Sequence, residues 1–265
     1  MNRVVAAAGL HWVELGRTTL GSGNTDITVS SFANKPYIMI LDHTFSSLQT
    51  GPSYRFNSDT GTNYAYRKSA NGAADSTTTS LNRIAYDATG DSNDKFTVAF
   101  VNNIATEEKL VNGHLIQRGS AGAGNAPDRS EFVGKWANTS NAITTVTQHN
   151  GDGNNYDTGS EVVVLGYDPD DTEGTSFWQE LASVDLSGGT GDSLSSGTIS
   201  AKKYLWVQAY LEQSGSGDTG NICRFNSDSG SNYSVRYSEN GGSDTTSTSR
   251  TNIVTGANSG TNGDG

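Results

Sequence analysis

Arg55-Phe56-Asn57-Ser58-Asp59-Thr60-Gly61-Thr62-Asn63-Tyr64 is written a second time, with two conservative changes, as Arg224-Phe225-Asn226-Ser227-Asp228-Ser229-Gly230-Ser231-Asn232-Tyr233. A repeat of this length defines the unit of the fold and is read before anything else. Downstream of it, Arg67, Asn71, Gly72 and Ile84 return at the same offsets as Arg236, Asn240, Gly241 and Ile253. Upstream, Trp12-Val13-Glu14-Leu15 returns as Trp178-Gln179-Glu180-Leu181, and Lys35-Pro36-Tyr37-Ile38-Met39-Ile40 as Lys202-Lys203-Tyr204-Leu205-Trp206-Val207. The gaps between the copies fall only in turn-like stretches.

Each repeated block reads as strand, turn, strand. The apolar bursts along the chain are short, rich in Val, Ile, Tyr, Phe and Thr, and bounded by Gly, Asn, Asp and Ser, which is the pattern of strands joined by turns. No segment keeps apolar residues at i, i+3, i+4 and i+7 for three turns, so the chain is expected to be all-β. Strands this numerous close as sandwiches of the jelly-roll kind. The expected core of the first unit is Trp12, Phe32, Ile38, Ile40, Phe56, Tyr64, Val98, Phe100, Trp136, Ile143, Val146, Val162 and Val164.

Four segments follow from the repeat: an N-terminal arm (1–11), a first sandwich (12–168), an acidic linker (169–177), and a partial second copy (178–265). The first copy continues through Phe96-Val101, Phe132-Trp136, Ile143-Val146 and Val162-Leu165, stretches that have no counterpart in residues 178–265. The sequence therefore predicts either that the chain runs on beyond Gly265 or that a neighbouring subunit supplies the missing strands.

With 17 Lys+Arg against 28 Asp+Glu, the chain has a formal net charge of −11. Nucleic-acid binding, which rests on clustered cations, is not expected. The single cysteine, Cys223, excludes an internal disulfide and a thiolate metal cluster within one chain. No apolar stretch approaches the ~20 residues that span a bilayer, so no membrane insertion is expected.

The motifs that resemble chemistry read as turns. Asn57, Asp59 and Asn63, and again Asn226, Asp228 and Asn232, place oxygen donors at alternate positions around a glycine, a spacing that suits Ca²⁺. No bidentate Glu follows, and a tight turn in which glycine takes positive φ is the preferred reading. Gly191-Asp192-Ser193-Leu194 matches a hydrolase signature, but no His follows it to activate the serine. The Asp-Thr-Gly triplets at Asp59, Asp157 and Asp218 lack the apolar strand that carries an aspartic-protease carboxylate. No catalytic residue and no cofactor are expected. The structural anchors are expected to be Trp12, Arg55, Phe56, Arg67, Trp136, Trp178, Arg224, Phe225 and Arg236, with the arginines paired to Glu14, Glu180 or strand-end carboxylates.

Trp12 to Leu15, the turn from Phe56 to Tyr64, Asn71-Gly72, Gly134-Lys135-Trp136-Ala137-Asn138-Thr139-Ser140, Ile143-Thr144 and Gly159 to Gly166 together resemble a β-sandwich module. That module recurs, often in tandem, in virion structural proteins of tailed viruses, particularly marine ones. The resemblance implies a non-enzymatic particle component: a tail fibre, a spike, or a tail-associated or capsid-surface protein. Its implied partners are copies of itself, other virion proteins and host-surface glycans, and its implied location is the virion. A carbohydrate-binding module, and a cell-surface filament or surface-layer subunit, are the alternatives.

Overall fold

The computed structural model describes residues 11–87, 92–171, 175–186, 191, 193–211, 221–238 and 242–255. The chain is all-β. Its strands are β1 (Val13–Thr19), β2 (Asp26–Val29), β3 (Tyr37–Thr44), β4 (Pro52–Phe56), β5 (Tyr64–Ala70), β6 (Ser76–Leu81), β7 (Ile84–Ala85) and β8 (Lys95–Asn102). They continue with β9 (Lys109–Gln117), β10 (Asp128–Trp136), β11 (Val146–Asn150), β12 (Glu161–Tyr167), β13 (Ile222–Cys223), β14 (Tyr233–Tyr237), β15 (Thr245–Arg250) and β16 (Ile253–Val254).

The first copy is two antiparallel sheets with their inner faces together. One has eight strands in the order β1-β12-β3-β8-β9-β10-β5-β6, and the other four in the order β2-β11-β4-β7. Because side chains alternate along a strand, one face of each sheet fills the space between them. Ile27, Tyr54, Phe56, Ile84 and Val146 from the small sheet meet Ile38, Ile40, Phe132, Trp136, Val162 and Val164 from the large one, all at most 2% exposed. Burying each large side chain contributes about 1.5–3 kcal/mol. Aromatic rings tie the layers together: Tyr86 stacks on Phe132 at 4.7 Å, and Phe56 meets Trp136 at 5.9 Å. Glycine makes the ring packing possible at Gly113, where a Cβ would lie 2.4 Å from Phe132 Cζ and 2.9 Å from the Val98 carbonyl oxygen.

One end of this core is polar. Asp42 is fully buried on β3 and accepts the Tyr54 hydroxyl, with the Tyr86 hydroxyl 3.2 Å from the same oxygen. Tyr86 also lies 2.5 Å from Gln148 Oε1, and Gln148 donates to the Tyr156 hydroxyl at 3.2 Å. Burial pushes the Asp42 carboxyl up to about 6, against the hydrogen bonds that favour its charged form. Lys109, also fully buried, donates to the carbonyls of Ala105, Glu107 and Asn138 at 2.7–3.0 Å, so its charge is satisfied by backbone dipoles.

Three residues expected in the core are not in it. Trp12, Val98 and Phe100 point to the outer side of the large sheet, and on β8 it is Thr97, Ala99 and Val101 that face inward. On β8 the reason is alternation: with Ala99 turned towards the core that holds the rings of Tyr54, Tyr86 and Phe132, its neighbours Val98 and Phe100 must both face outward.

The second copy forms two short pieces, the ladders β13-β16 and β14-β15. They repeat the first copy's register: Tyr64 faces Leu81 and Arg67 faces Thr77 in one, Tyr233 faces Arg250 and Arg236 faces Thr246 in the other, with a bulge at the same place. The strand expected over Lys202–Val207 does not form, and Leu205, Trp206, Val207 and Tyr210 are exposed. Its first-copy counterpart, β3, sits between β12 and β8. The hairpin β14-β15 lies against the first copy through Arg129, which holds Asp244 at 2.6 and 3.0 Å, and through Arg236, which donates to the Pro127 carbonyl at 2.7 Å. The linker is likewise anchored: Lys35 holds Asp171 at 2.6 Å, and the Phe177 amide donates to the Trp12 carbonyl at 2.7 Å. Residues 1–10 of the expected arm, and the Asp218 triplet, lie outside the described residues.

Candidate binding face on the large sheet

The turn residues singled out in the sequence form a closed local network. The Asp59 carboxylate accepts Gly61 N–H at 2.8 Å, Asn63 Nδ2 at 2.9 Å and Trp136 Nε1 at 2.7 Å. Burial works to raise its pKa, and these hydrogen bonds outweigh it and hold the carboxyl below its ordinary value. Asn57 supports the same loop by donating to the Ala142 carbonyl at 2.8 Å and accepting Thr144 N–H at 2.9 Å. Asn57 and Ser58 take positive φ, and Gly61 does not. The glycine is required for space instead, since a Cβ there would lie 2.9 Å from Asn63 Nδ2 and 3.1 Å from Asp59 Oδ1. In the second copy Asn226 and Ser227 take the same φ, and Asp228 accepts Gly230 N–H at 2.8 Å and Asn232 Nδ2 at 2.9 Å.

Two of the four arginines pair with strand-end carboxylates as expected, and two do not. Arg55 and Arg224 each donate to a backbone carbonyl, Asn82 and Thr251, at 3.3 and 3.0 Å. Arg67 meets Asp75 at 3.3 Å, and Arg236 meets Asp128 at 3.4 Å and Asp244 at 3.8 Å. Glu14 is taken by its own strand neighbour, Arg17, at 2.8 Å. Phe56 and Trp136 are core residues, whereas Phe225 is 47% exposed, because the strands that would enclose it are not formed.

The binding geometry lies on the outer side of the eight-stranded sheet. Antiparallel register aligns Met39, Phe100, Asn112, Val133, Arg67 and Thr77 in one transverse row across six strands. One end of this face is covered by the chain itself: Phe177, Trp178 and Tyr204 rest on Met39, Leu41, Val163 and Leu165. Glu161 secures that cover, accepting Thr19 Oγ1 at 2.6 Å, Tyr204 hydroxyl at 2.9 Å and Lys203 Nζ at 3.0 Å, with Arg17 at 3.0 Å. Burial opposes ionisation of Glu161, yet these donors and the Arg17 charge hold its carboxyl down at about 2.

The other end is open and forms a groove of about 880 Å³. Its wall nearest the covered end is aromatic: Trp12 meets Tyr167 at 5.7 Å and Phe100 at 6.3 Å, and Tyr37 meets Tyr167 at 5.9 Å. Its floor carries Leu110 and Val133, 58% and 49% exposed. Among the described residues the only charged side chains lining it are Arg67 and Lys135, the latter held by Glu108 at 2.8 Å from outside the groove. Among the described residues, the Asn112 side-chain amide, in mid-row, and the Tyr37 and Tyr167 hydroxyls have no hydrogen-bond partner. The arrangement can hold a ligand with apolar faces and hydrogen-bonding edges. The sequence carried a signal for it in the alternation of β8, whose bulky positions, Phe96, Val98 and Phe100, all fall on one face.

No protein-family model matches the chain, and no curated protein is detectably similar to it.

Proposed function

We propose that the chain is a non-enzymatic structural and adhesion module of a virion surface, a component of a tail fibre, a tail-associated structure or the capsid exterior. The observation that carries this reading is the outer face of the large sheet, half covered by the chain's own aromatic residues and half left open as an aromatic groove. Such a face is suited to attachment rather than turnover, since among the described residues no carboxylate lines it to act as acid or base. The motif resemblance and the repeated module support a place in a particle. Mass spectrometry and immunogold labelling of purified particles test it. Many copies per particle, on the exterior, are expected. Recovery of the chain solely from a cellular surface layer or filament would replace this reading with that alternative.

A further inference from the structure

We propose that the open groove binds an acidic polysaccharide, with sugar rings resting on Trp12, Tyr37 and Phe100 and the anionic groups meeting Arg67 and Lys135. The proposal rests on the adhesion reading and names the chemistry of what is adhered to. A sugar ring has apolar C–H faces and a rim of hydroxyls, so its site needs flat rings beside polar groups that are not already engaged. The groove supplies both: Phe100 stands in the transverse row next to Asn112, whose side-chain amide has no partner among the described residues, and the Tyr37 and Tyr167 hydroxyls, likewise without one there, edge the aromatic wall. A purely apolar protein surface laid on the same row would bury that amide unpaired, at about 1–3 kcal/mol. A saccharide hydroxyl would pair it.

The charge pattern narrows the class. The chain as a whole is at −11, yet among the described residues the only charges lining the groove are two cations, and their carboxylate partners, Asp75 and Glu108, are not lining residues. Arginine's planar fork suits a carboxylate or sulfate group. The groove's length also favours a chain over a single sugar: from β3 to β6 there are five interstrand spacings, about 24 Å at ~4.8 Å each.

Titration calorimetry with three hexasaccharides tests this: galacturonate, a sulfated galactan and neutral cellohexaose. Saturable binding of at least one acidic hexamer is expected, weakened by added salt. Phe100→Ala, and separately the pair Arg67→Gln with Lys135→Gln, should each weaken it about tenfold, the loss of one ring or charge contact. Arg118→Gln, which removes a cation away from the groove, should change nothing. Melting curves establish that each variant is folded, and Asn112→Ala serves in place of Phe100→Ala if that variant is not. The proposal is overturned by no saturable binding of either acidic hexamer at millimolar concentration, by equal affinity for cellohexaose, or by indifference to the double variant. Sedimentation of the same samples covers the remaining outcome: self-association abolished by Phe100→Ala, with no sugar bound, would make this face a contact between copies. None of these results bears on particle location, which is scored separately.

Discussion

Replacing Asp42 with Asn should stabilise the first sandwich at neutral pH. The carboxyl sits in the polar end of the core with no exposure, and its transfer there from an ordinary value of 3.8 to about 6 means that the folded state holds the proton more tightly than the unfolded chain. A carboxyl raised in this way contributes its full stability below pH ~4 and loses it as the pH rises through 6. A difference of about two units, at 1.36 kcal/mol each, makes ionised Asp42 cost about 3 kcal/mol at pH 7. Asn retains an acceptor for the Tyr54 hydroxyl, carries no charge to desolvate and can offer its amide N–H₂ to the Thr97 hydroxyl beside it, so about 1–3 kcal/mol of this should be recovered. For a domain of this size that corresponds to a melting temperature higher by about 2–4 °C per kcal/mol. Calorimetric melting of wild type and Asp42→Asn at half-unit steps from pH 4 to 8 is the assay. The gap should be near zero at pH 4 and grow to its full size by pH 7. A variant that melts lower than wild type at pH 7 by an amount independent of pH would refute the reasoning, because the charged network would then be net stabilising.

Trp136→Ala, at a site 1% exposed whose indole also donates to Asp59, should cost about 3–5 kcal/mol in denaturant unfolding, and Trp136→Phe clearly less. Glu161, held at about 2, has the opposite sign from Asp42: its contribution is complete above pH 4.5 and lost as the pH falls towards 2. Glu161→Gln should therefore flatten the acid limb of the stability profile. Hydrogen exchange should also show residues 203–206 released from the outer face, since Lys203 and Tyr204 are both held by that carboxylate. Val207→Lys, in the exposed apolar run, should raise the concentration at which the chain associates without moving the melting of the first sandwich, and light scattering beside calorimetry would detect either failure.

The parts of the fold that were legible in the sequence are the local ones. The turn from Asn57 to Asn63 and the hairpin after it are encoded within 30 residues, and the second copy reproduces both, down to the bulge and the positive φ at Asn226 and Ser227. Which face of β8 points inward was not legible. Hydropathy favours Phe100 over Ala99 for the core, and only the opposing rings of Tyr54, Tyr86 and Phe132, brought from three other segments, decide for the smaller residue. The groove was hidden for the same reason. Its row joins residues 39, 100, 112, 133, 67 and 77, whose order in space is unrelated to their order in the chain. The pairing of Arg55 and Arg224 was illegible because a carbonyl acceptor such as Asn82 or Thr251 leaves no mark in composition.

The contrast between the two copies shows how much of this sandwich depends on distant segments. In the first copy β4 pairs with β7 and β5 with β6, all within residues 52–85, and the corresponding ladders form in the second copy. By contrast β1 and β3 pair with β12, β2 with β11 and β3 also with β8, and those partners come from residues 95–167, a stretch without a counterpart in 178–265. The second-copy equivalents of β1, β2 and β3 form no strand among the described residues. Near-neighbour hairpins form their ladder at low loop-closure cost, whereas a central strand has its hydrogen bonds complete only when two others flank it. The run from Tyr204 to Leu211 is written for that central place, with apolar residues on both faces like β3, but only Tyr204 and Trp206 find ring partners, in Phe177 and Trp178, and most of the run is exposed. Similar local sequence thus gives hairpins of the same register in both copies, while the central strand exists only where its distant partners are present.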